Sequence, residues 1–326
     1  MKRGLAAMAV TVVVWAGFAL SVRGIGASTL TTADAALIRF TVPLLVLAPW
    51  IPRTLRRLRD EQPVVLAGLC VGAGLPYFLV AAAGGRLTSA ALVGLVIPGT
   101  VPVFVTLLAY TLWGWRIRLP QLAALGGIVA GVAVAGGEPP GSGTLVLLLA
   151  GLIWAVYTLS LRVTLLDPLG TVIVLCLPSS LLTALLITTG TASSTLPTAR
   201  PADVALYLIV QGLGVGVLAA VCYPIAIRRL GSRTAATLGA LSPVLTALAA
   251  VPLLGEPLTG LPALALVVAS VITFNVLKTE PKSLLTTAPK SEPQTAPNTE
   301  GTAPHAADDP APDDRPAVAA DGGLRR

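Results

Sequence analysis

At 326 residues, with 55% hydrophobic and only 11% charged side chains, the chain lacks the charge needed to cover a soluble surface, of which about a quarter is ordinarily Asp, Glu, Lys or Arg. The net charge of +7 belongs to residues 1–278, which hold 17 basic and 7 acidic side chains, whereas 279–326 hold 5 and 8. The basic excess therefore travels with the apolar part. Anionic lipid headgroups account for it, and nucleic acid does not.

A bilayer crossing needs roughly 20 apolar residues. Such runs fall at 4–22, 33–51, 63–83, 88–112, 119–136, 144–161, 168–189, 203–227, 234–254 and 258–277. The first follows MKR and has the shape of a secretory signal, but its near-copy in mid-chain argues that it is retained. It carries Trp15 and Phe18, spaced i, i+3 and so expected on one helix face. Run 2 carries Arg39, six residues in, and Pro43. Run 3 carries Gly68 and Gly72 at GxxxG spacing, then Pro76 and Tyr77, and run 4 carries Pro98 and Pro102. Run 6 repeats the aromatic spacing with Trp154 and Tyr157, and run 7 contains Pro178. Run 8 offers Gln211, a second GxxxG at Gly212 and Gly216, then Tyr223 and Pro224. Run 9 holds Pro243 and ends at Glu256. From 279 onward there are eight prolines and no aromatic residue. That composition buries too little apolar surface to offset ordering entropy, so the segment is expected to be a disordered cytoplasmic tail.

The runs form two sets. WAGFALSVR at Trp15–Arg23 returns as WAVYTLSLR at Trp154–Arg162 with five of nine positions identical. GLCVG at Gly68 answers to GLGVG at Gly212, SAA at Ser89 to TAA at Thr234, and LPQLA at Leu119 to LPALA at Leu261, all at offsets of 139–145. The reading is two five-helix repeats, 1–137 and 144–278, joined by a linker at 138–143. With the N-terminus cytoplasmic, thirteen basic residues fall in inner segments and three, Arg23, Arg86 and Arg200, in outer loops. Five crossings per repeat invert the second against the first. The fold class expected is an all-α integral membrane protein of ten transmembrane helices in two inverted repeats, both termini cytoplasmic.

Ordered in this way, the chain resembles the EamA-type transporters of the drug/metabolite transporter superfamily over residues 1 to about 278. The resemblance rests on WAGFALSVR in the first run, ADAALIRF leading to a single arginine in the second, and SPVLTALAAVPLLGEPLTG from Ser242 to Gly260. In the first repeat Pro102 is followed at the same spacing by Trp115, where the family has glutamate, so a paired role for two glutamates is in doubt. The resemblance implies a solute path between two five-helix bundles with alternating access, in proteins that mostly export amino acids, small metabolites or toxic compounds.

Polar and aromatic side chains inside the runs are the candidate substrate contacts: Trp15, Phe18, Tyr77, Trp154, Tyr157, Gln211 and Tyr223. Each has a plainer reading, packing helix on helix or satisfying a neighbouring backbone. Arg39 either attracts a carboxylate or snorkels to the outer headgroups or to helix-end carbonyls. Aligning Pro43 with Pro178 sets it opposite Val174, so it has no counterpart. Glu256 either takes part in transport or sits at the N-terminus of the tenth helix in the field of its dipole. Pro102 and Pro243 are candidate gate hinges, and the GxxxG glycines are expected to pack within the monomer.

Cys70, Cys176 and Cys222 form no CxxC pair, and the sole histidine, His305, lies in the tail. No metal or cofactor is expected, nor a catalytic triad or nucleotide loop, so enzymatic activity has little support. No Asp, Glu or His falls in the middle of a run, which disfavours a proton-exchanging exporter of lipophilic cations and favours facilitated diffusion or exchange of a neutral or zwitterionic solute. The expected partners are a small-molecule substrate and the bilayer, as monomer or homodimer in the cytoplasmic membrane. A lipid scramblase, or a scaffold presenting the acidic tail, is the rival from another class.

Overall fold

The computed structural model describes residues 1–114, 117–136 and 141–277. Trp115, Glu138 and the rest of the first half of the expected linker 138–143, Lys278 and the expected tail 279–326 with His305 lie outside the described residues. Every described regular element is helical. In chain order these are α1 (Lys2–Gly24), α2 (Thr32–Val46), α3 (Ile51–Arg57), α4 (Pro63–Ala73), α5 (Leu75–Leu87), α6 (Ala90–Trp113), α7 (Leu119–Gly136), α8 (Ser142–Val163), α9 (Pro168–Thr188), α10 (Pro201–Tyr207), a π-helical stretch Leu208–Leu218, α11 (Ala219–Leu230), α12 (Ser232–Gly239), α13 (Ser242–Leu254) and α14 (Leu261–Leu277).

Helix ends follow local chemistry. Thr31 and Asp34 form a reciprocal capping box at the start of α2, and Ser89 and Asp167 cap α6 and α9 through their side-chain oxygens. Helices α6 and α13 both stop on a left-handed glycine, Gly114 (φ 64°) and Gly255 (φ 65°), 141 positions apart in the sequence.

All ten apolar runs are helical, but seven segments qualify outright by length and composition as membrane crossings: Lys2–Ala27, Pro63–Leu87, Ala90–Trp113, Ser142–Val163, Pro168–Thr188, Pro201–Leu230 and Arg233–Leu254. The second run is a pair of helices, Thr32–Val46 and Ala48–Asp60, bent by 67°. Leu119–Ala135 and Leu261–Leu277 are shorter apolar helices. The count of ten is thus reached only by including a bent pair and two short helices.

The third helix of each repeat is irregular in mid-run. Pro76 lacks the N–H that would continue the ladder, and the chain leaves helical geometry at Gly74, between α4 and α5. The freed Leu75 N–H donates to Ser179 Oγ on α9 at 3.0 Å. In the second repeat the corresponding region is the π-helical stretch Leu208–Leu218.

The repeats interlock. Helix α8, first of the second repeat, packs on α4, α5 and α6 of the first, while α1 packs on the π-stretch, α11 and α13 of the second, and α7 lies against α14. The C-terminal turn of α5 meets both the end of α1, through Gly85 against Val22 and Arg23, and the start of α8, through Gly84 against Leu147 and Thr88 against Gly143. Equivalent first helices therefore run in opposite directions. The four GxxxG glycines face this same chain: Gly68 and Gly72 take Ser160 and the Tyr157 backbone of α8, and Gly212 and Gly216 take Val42 and Pro43 of α2. Without a hydrophobic drive between helices in lipid, such close approach is what holds them together.

Two carboxylates, 142 positions apart, tie the repeats at their ends. Glu61, two residues before α4, accepts from Thr164 Oγ1 (2.6 Å) and Leu165 N–H (2.8 Å) in the loop that follows α8. Asp203, in α10, accepts from Thr29 Oγ1 (2.6 Å) and Thr29 N–H (2.8 Å) in the loop that follows α1. Each repeat thus holds the exit of the other's first helix by the same pair of donors.

Candidate functional site

Arg39 is the centre of the polar interior. It lies seven residues into α2, about 10 Å from the start of that helix at 1.5 Å per residue, and is 6% exposed. The guanidinium neither snorkels outward nor reaches helix-end carbonyls, the two plainer readings of its position. Its Nη1 donates to Gln211 Oε1 at 2.7 Å. Gln211, fully buried, passes the interaction on: its Nε2 donates to Ser21 Oγ at 2.7 Å, and Ser21 Oγ donates to the Phe18 carbonyl at 2.9 Å. Tyr207 Oη donates to the Ser21 carbonyl at 2.7 Å. Both ends of the Gln211 amide are used, which fixes its orientation and links α1, α2 and the π-stretch through one relay.

Aromatic rings enclose the cation. Arg39 Cζ lies 5.1 Å from the Phe18 ring centroid, 5.5 Å from Phe40 and 5.6 Å from Phe78. The negative ring faces recover part of the hydration that the guanidinium has lost. Behind Phe18 stacks Tyr77 (6.0 Å, 15°), which meets Trp154 edge-on (4.8 Å, 68°), and Trp154 in turn meets Tyr157 (5.8 Å, 78°). Residues from both repeats therefore gather around Arg39, directly or through this chain of rings: Phe18 and Tyr77 from the first, Trp154, Tyr157 and Gln211 from the second.

Two predicted contacts fall elsewhere. Trp15 packs on Tyr223 (5.1 Å, 56°) in a separate cluster with Met8, Ala226 and Ala235. The i, i+3 spacing placed Trp15 and Phe18 on one face, but they are one turn apart along the axis and offset by about 60° around it. That suffices to send Phe18 to Arg39 and Trp15 to the neighbouring α11.

The proline and acid expectations also change. Pro102 lies within an uninterrupted α6 and makes no break, whereas Pro243 starts α13 after the chain leaves α12. Glu256 stands five residues before α14 and does not cap it. Its carboxylate accepts from the Ala90 N–H, first of α6, at 2.8 Å and pairs with Arg23 Nε at 2.9 Å. Among the described residues, Asp34, Asp167 and Asp203 all sit in first turns or caps, with Glu61 in a loop, and no group of three or more His, Cys, Asp or Glu has metal-site spacing.

Sequence reasoning passed over Ser21, Phe78 and Glu61. Ser21 carried a signal, since it is an identical polar position of the duplicated nonapeptide. Phe78 and Glu61 carried none.

The duplication and the packing of the repeats agree with the comparisons. A model of the EamA-like transporter family matches residues 2–137 and again 141–277. No curated protein matches the chain. A solved structure described as "Crystal structure of protein" is similar with a TM-score of 0.56 at 22% identity, over 85% of this chain and 98% of that one, a likeness of fold alone. With nearly the whole apolar part matched in two copies, the chain belongs to the EamA-like transporter family and is a multi-pass membrane transporter of the drug/metabolite transporter superfamily.

Proposed function

We propose that the protein is a secondary transporter that exports a small metabolite or amino acid across the cytoplasmic membrane by alternating access, through ten crossings arranged as two inverted repeats with both termini cytoplasmic. The observation that carries this reading is the gathering of five candidate side chains from both repeats around the buried Arg39. A polar centre there is costly in hydrocarbon and typically lies on a solute path. Backbone irregularity on either side, at Gly74 and in the π-stretch, supports a path that opens and closes, because non-helical backbone at membrane depth is tolerated where it borders a cavity or another helix.

The acids favour exchange or uniport over proton-driven efflux, since every described carboxylate lies at a helix end or in a loop. The test is counterflow into proteoliposomes preloaded with a labelled metabolite mixture. The wild type should exchange defined solutes, and Trp154→Ala should lower the rate while the protein inserts normally. Lipid movement without solute exchange would make it a scramblase, and neither would leave a scaffold.

A further inference from the structure

The bent end of the second run carries charge that the protein itself does not use. The helical segment Ala48–Asp60, which contains α3, turns away from α2 by 67°. Even with the tilt of about 20° usual for a crossing helix, it lies nearer to the membrane plane than to its normal. Four arginines stand on it against one acid, Asp60. They divide into two pairs. Arg53 and Arg57, spaced i, i+4, turn to Asp167 at the start of α9, at 4.0 and 3.4 Å. Arg56 and Arg59, spaced i, i+3, are exposed, and their side chains make no hydrogen bond or ion pair among the described residues.

The rest of the segment fixes which side looks outward. Thr54 is buried against Gly170 of α9 and donates to the Trp50 carbonyl at 3.1 Å. Ile51 packs on the main core, and Leu58 on the cluster of Val65, Leu69 and Leu166. Leu55 flanks this buried side but is itself exposed, one turn before Arg59, and Trp50 is exposed at the other end of the segment. An open leucine beside two partnerless guanidinium groups, with a tryptophan, the ring favoured at headgroup depth, makes the outward side amphipathic.

This combination selects the occupant. Guanidinium groups read a phosphate by forked, charge-assisted hydrogen bonds, and the leucine and tryptophan beside them suit a ligand that also brings apolar chains. We infer that Ala48–Asp60 is a binding site for an anionic phospholipid, with Arg56 and Arg59 holding the phosphate and Leu55 and Trp50 lying against the glycerol and the first methylenes. This rests on the membrane reading above. In the orientation proposed there the lipid belongs to the cytoplasmic leaflet, whose negative surface attracts basic segments beside a crossing. Bound lipid fastens the end of α2, the helix that carries Arg39, to the bilayer surface.

The test uses the full chain in a non-ionic detergent, titrated with phosphatidylglycerol, with phosphatidylcholine of the same acyl chains and with inorganic phosphate. Phosphatidylglycerol should bind saturably and slow backbone hydrogen exchange across Ala48–Asp60, and the other two should do neither. Arg56→Gln combined with Arg59→Gln deletes two groups that have no partner in the protein. The double variant should melt as the wild type does, while its affinity for phosphatidylglycerol falls about tenfold or more. Arg228→Gln combined with Arg229→Gln, an equal loss of charge at the exposed end of α11, should change that affinity by less than about twofold.

Equal losses in the two double variants would reduce the effect to diffuse charge and overturn the site. So would an unchanged affinity on losing Arg56 and Arg59, equal binding of phosphatidylcholine or phosphate, or binding that leaves exchange across the segment unaltered. The outcome separates from that of the transporter reading, because binding in detergent depends neither on the leaflet nor on transport. Counterflow without phosphatidylglycerol binding refutes the lipid site and leaves transport standing. Binding without counterflow of any solute refutes transport and leaves the site.

Discussion

The two repeats place the same pair of rings at the same joint, and only one of the joints is charged. Trp154 of α8 meets Tyr77 at 4.8 Å and 68°, and Trp15 of α1 meets Tyr223 at 5.1 Å and 56°. In each case the tryptophan of one repeat's first helix packs on a tyrosine of the other's third. Around Tyr77 stand Phe18, Arg39 and the Gln211 relay, whereas Val174, which the proline alignment sets opposite Arg39, packs with Val65, Leu69 and Leu166. The duplicated scaffold therefore supplies the joint in both copies, and one copy alone of this pair places a buried guanidinium beside it.

The sharpest way to break this comparison is Gln211→Leu. It removes the acceptor of Arg39 Nη1 and the donor to Ser21 in one step, leaving a buried charged donor unmade, and should cost about 3 kcal/mol. A lower melting temperature in detergent, or failure to accumulate, is the readout, and Gln211→Glu should restore it because the carboxylate still accepts from Arg39. If Gln211→Leu is neutral, the charged joint is no more constrained than its uncharged twin.

Much of this asymmetry was legible in the sequence. Arg39 had no counterpart in the alignment, and Trp154, Tyr157, Tyr77 and Gln211 were all visible as polar or aromatic interruptions of apolar runs. The depth of burial was not legible, because a run of hydrophobic letters does not say which face meets lipid and which meets another helix. Nor was the division between Phe18 and Trp15, since i, i+3 spacing fixes a separation on one helix and says nothing about which neighbour each residue reaches. The carboxylate of Glu256 was expected at the N-terminus of the tenth helix but meets that of α6 instead, 166 residues away, a pairing that only the fold can make.

The end clasps give the next comparison. Glu61 is 8% exposed and holds Thr164 and Leu165, so Glu61→Ala strands a hydroxyl and an N–H and should cost about 2 kcal/mol in thermal unfolding. Asp203 makes the same two contacts to Thr29 but is partly exposed and shared with Arg200. Water can replace it, and Asp203→Ala should cost less, about 1 kcal/mol. Equal losses would mean that the two ends are equally dry.

Glu256 stands next to the left-handed glycine that closes α13, and in the first repeat the residue after the equivalent Gly114 is Trp115. A tryptophan supplies no carboxylate at that position, so the acidic tie to Arg23 and to the start of α6 has no counterpart in the sequence there. With side chains 38% and 13% exposed, the pair is screened, and Glu256→Gln should cost about 1 kcal/mol or less, shrinking further in high salt. A loss independent of salt would assign the effect to the Ala90 N–H alone.

The smallest effect is expected at Asp167, and it separates capping from charge. Its side chain is 43% exposed, with Arg57 at 3.4 Å and Arg53 at 4.0 Å, distances and exposure at which an ion pair contributes little. Its Oδ1 also accepts from the Gly170 N–H at 2.7 Å, capping α9. Asparagine caps nearly as well as aspartate, so Asp167→Asn removes the charge and keeps the cap, and its melting temperature should correspond to a change within about 0.5 kcal/mol. Asp167→Ala removes both and should cost about 1 kcal/mol. Should Asn cost as much as Ala, the arginines and not the cap hold this end of α9, and the comparison with the Thr31–Asp34 box, which caps α2 with no arginine among its partners, would fail at that point.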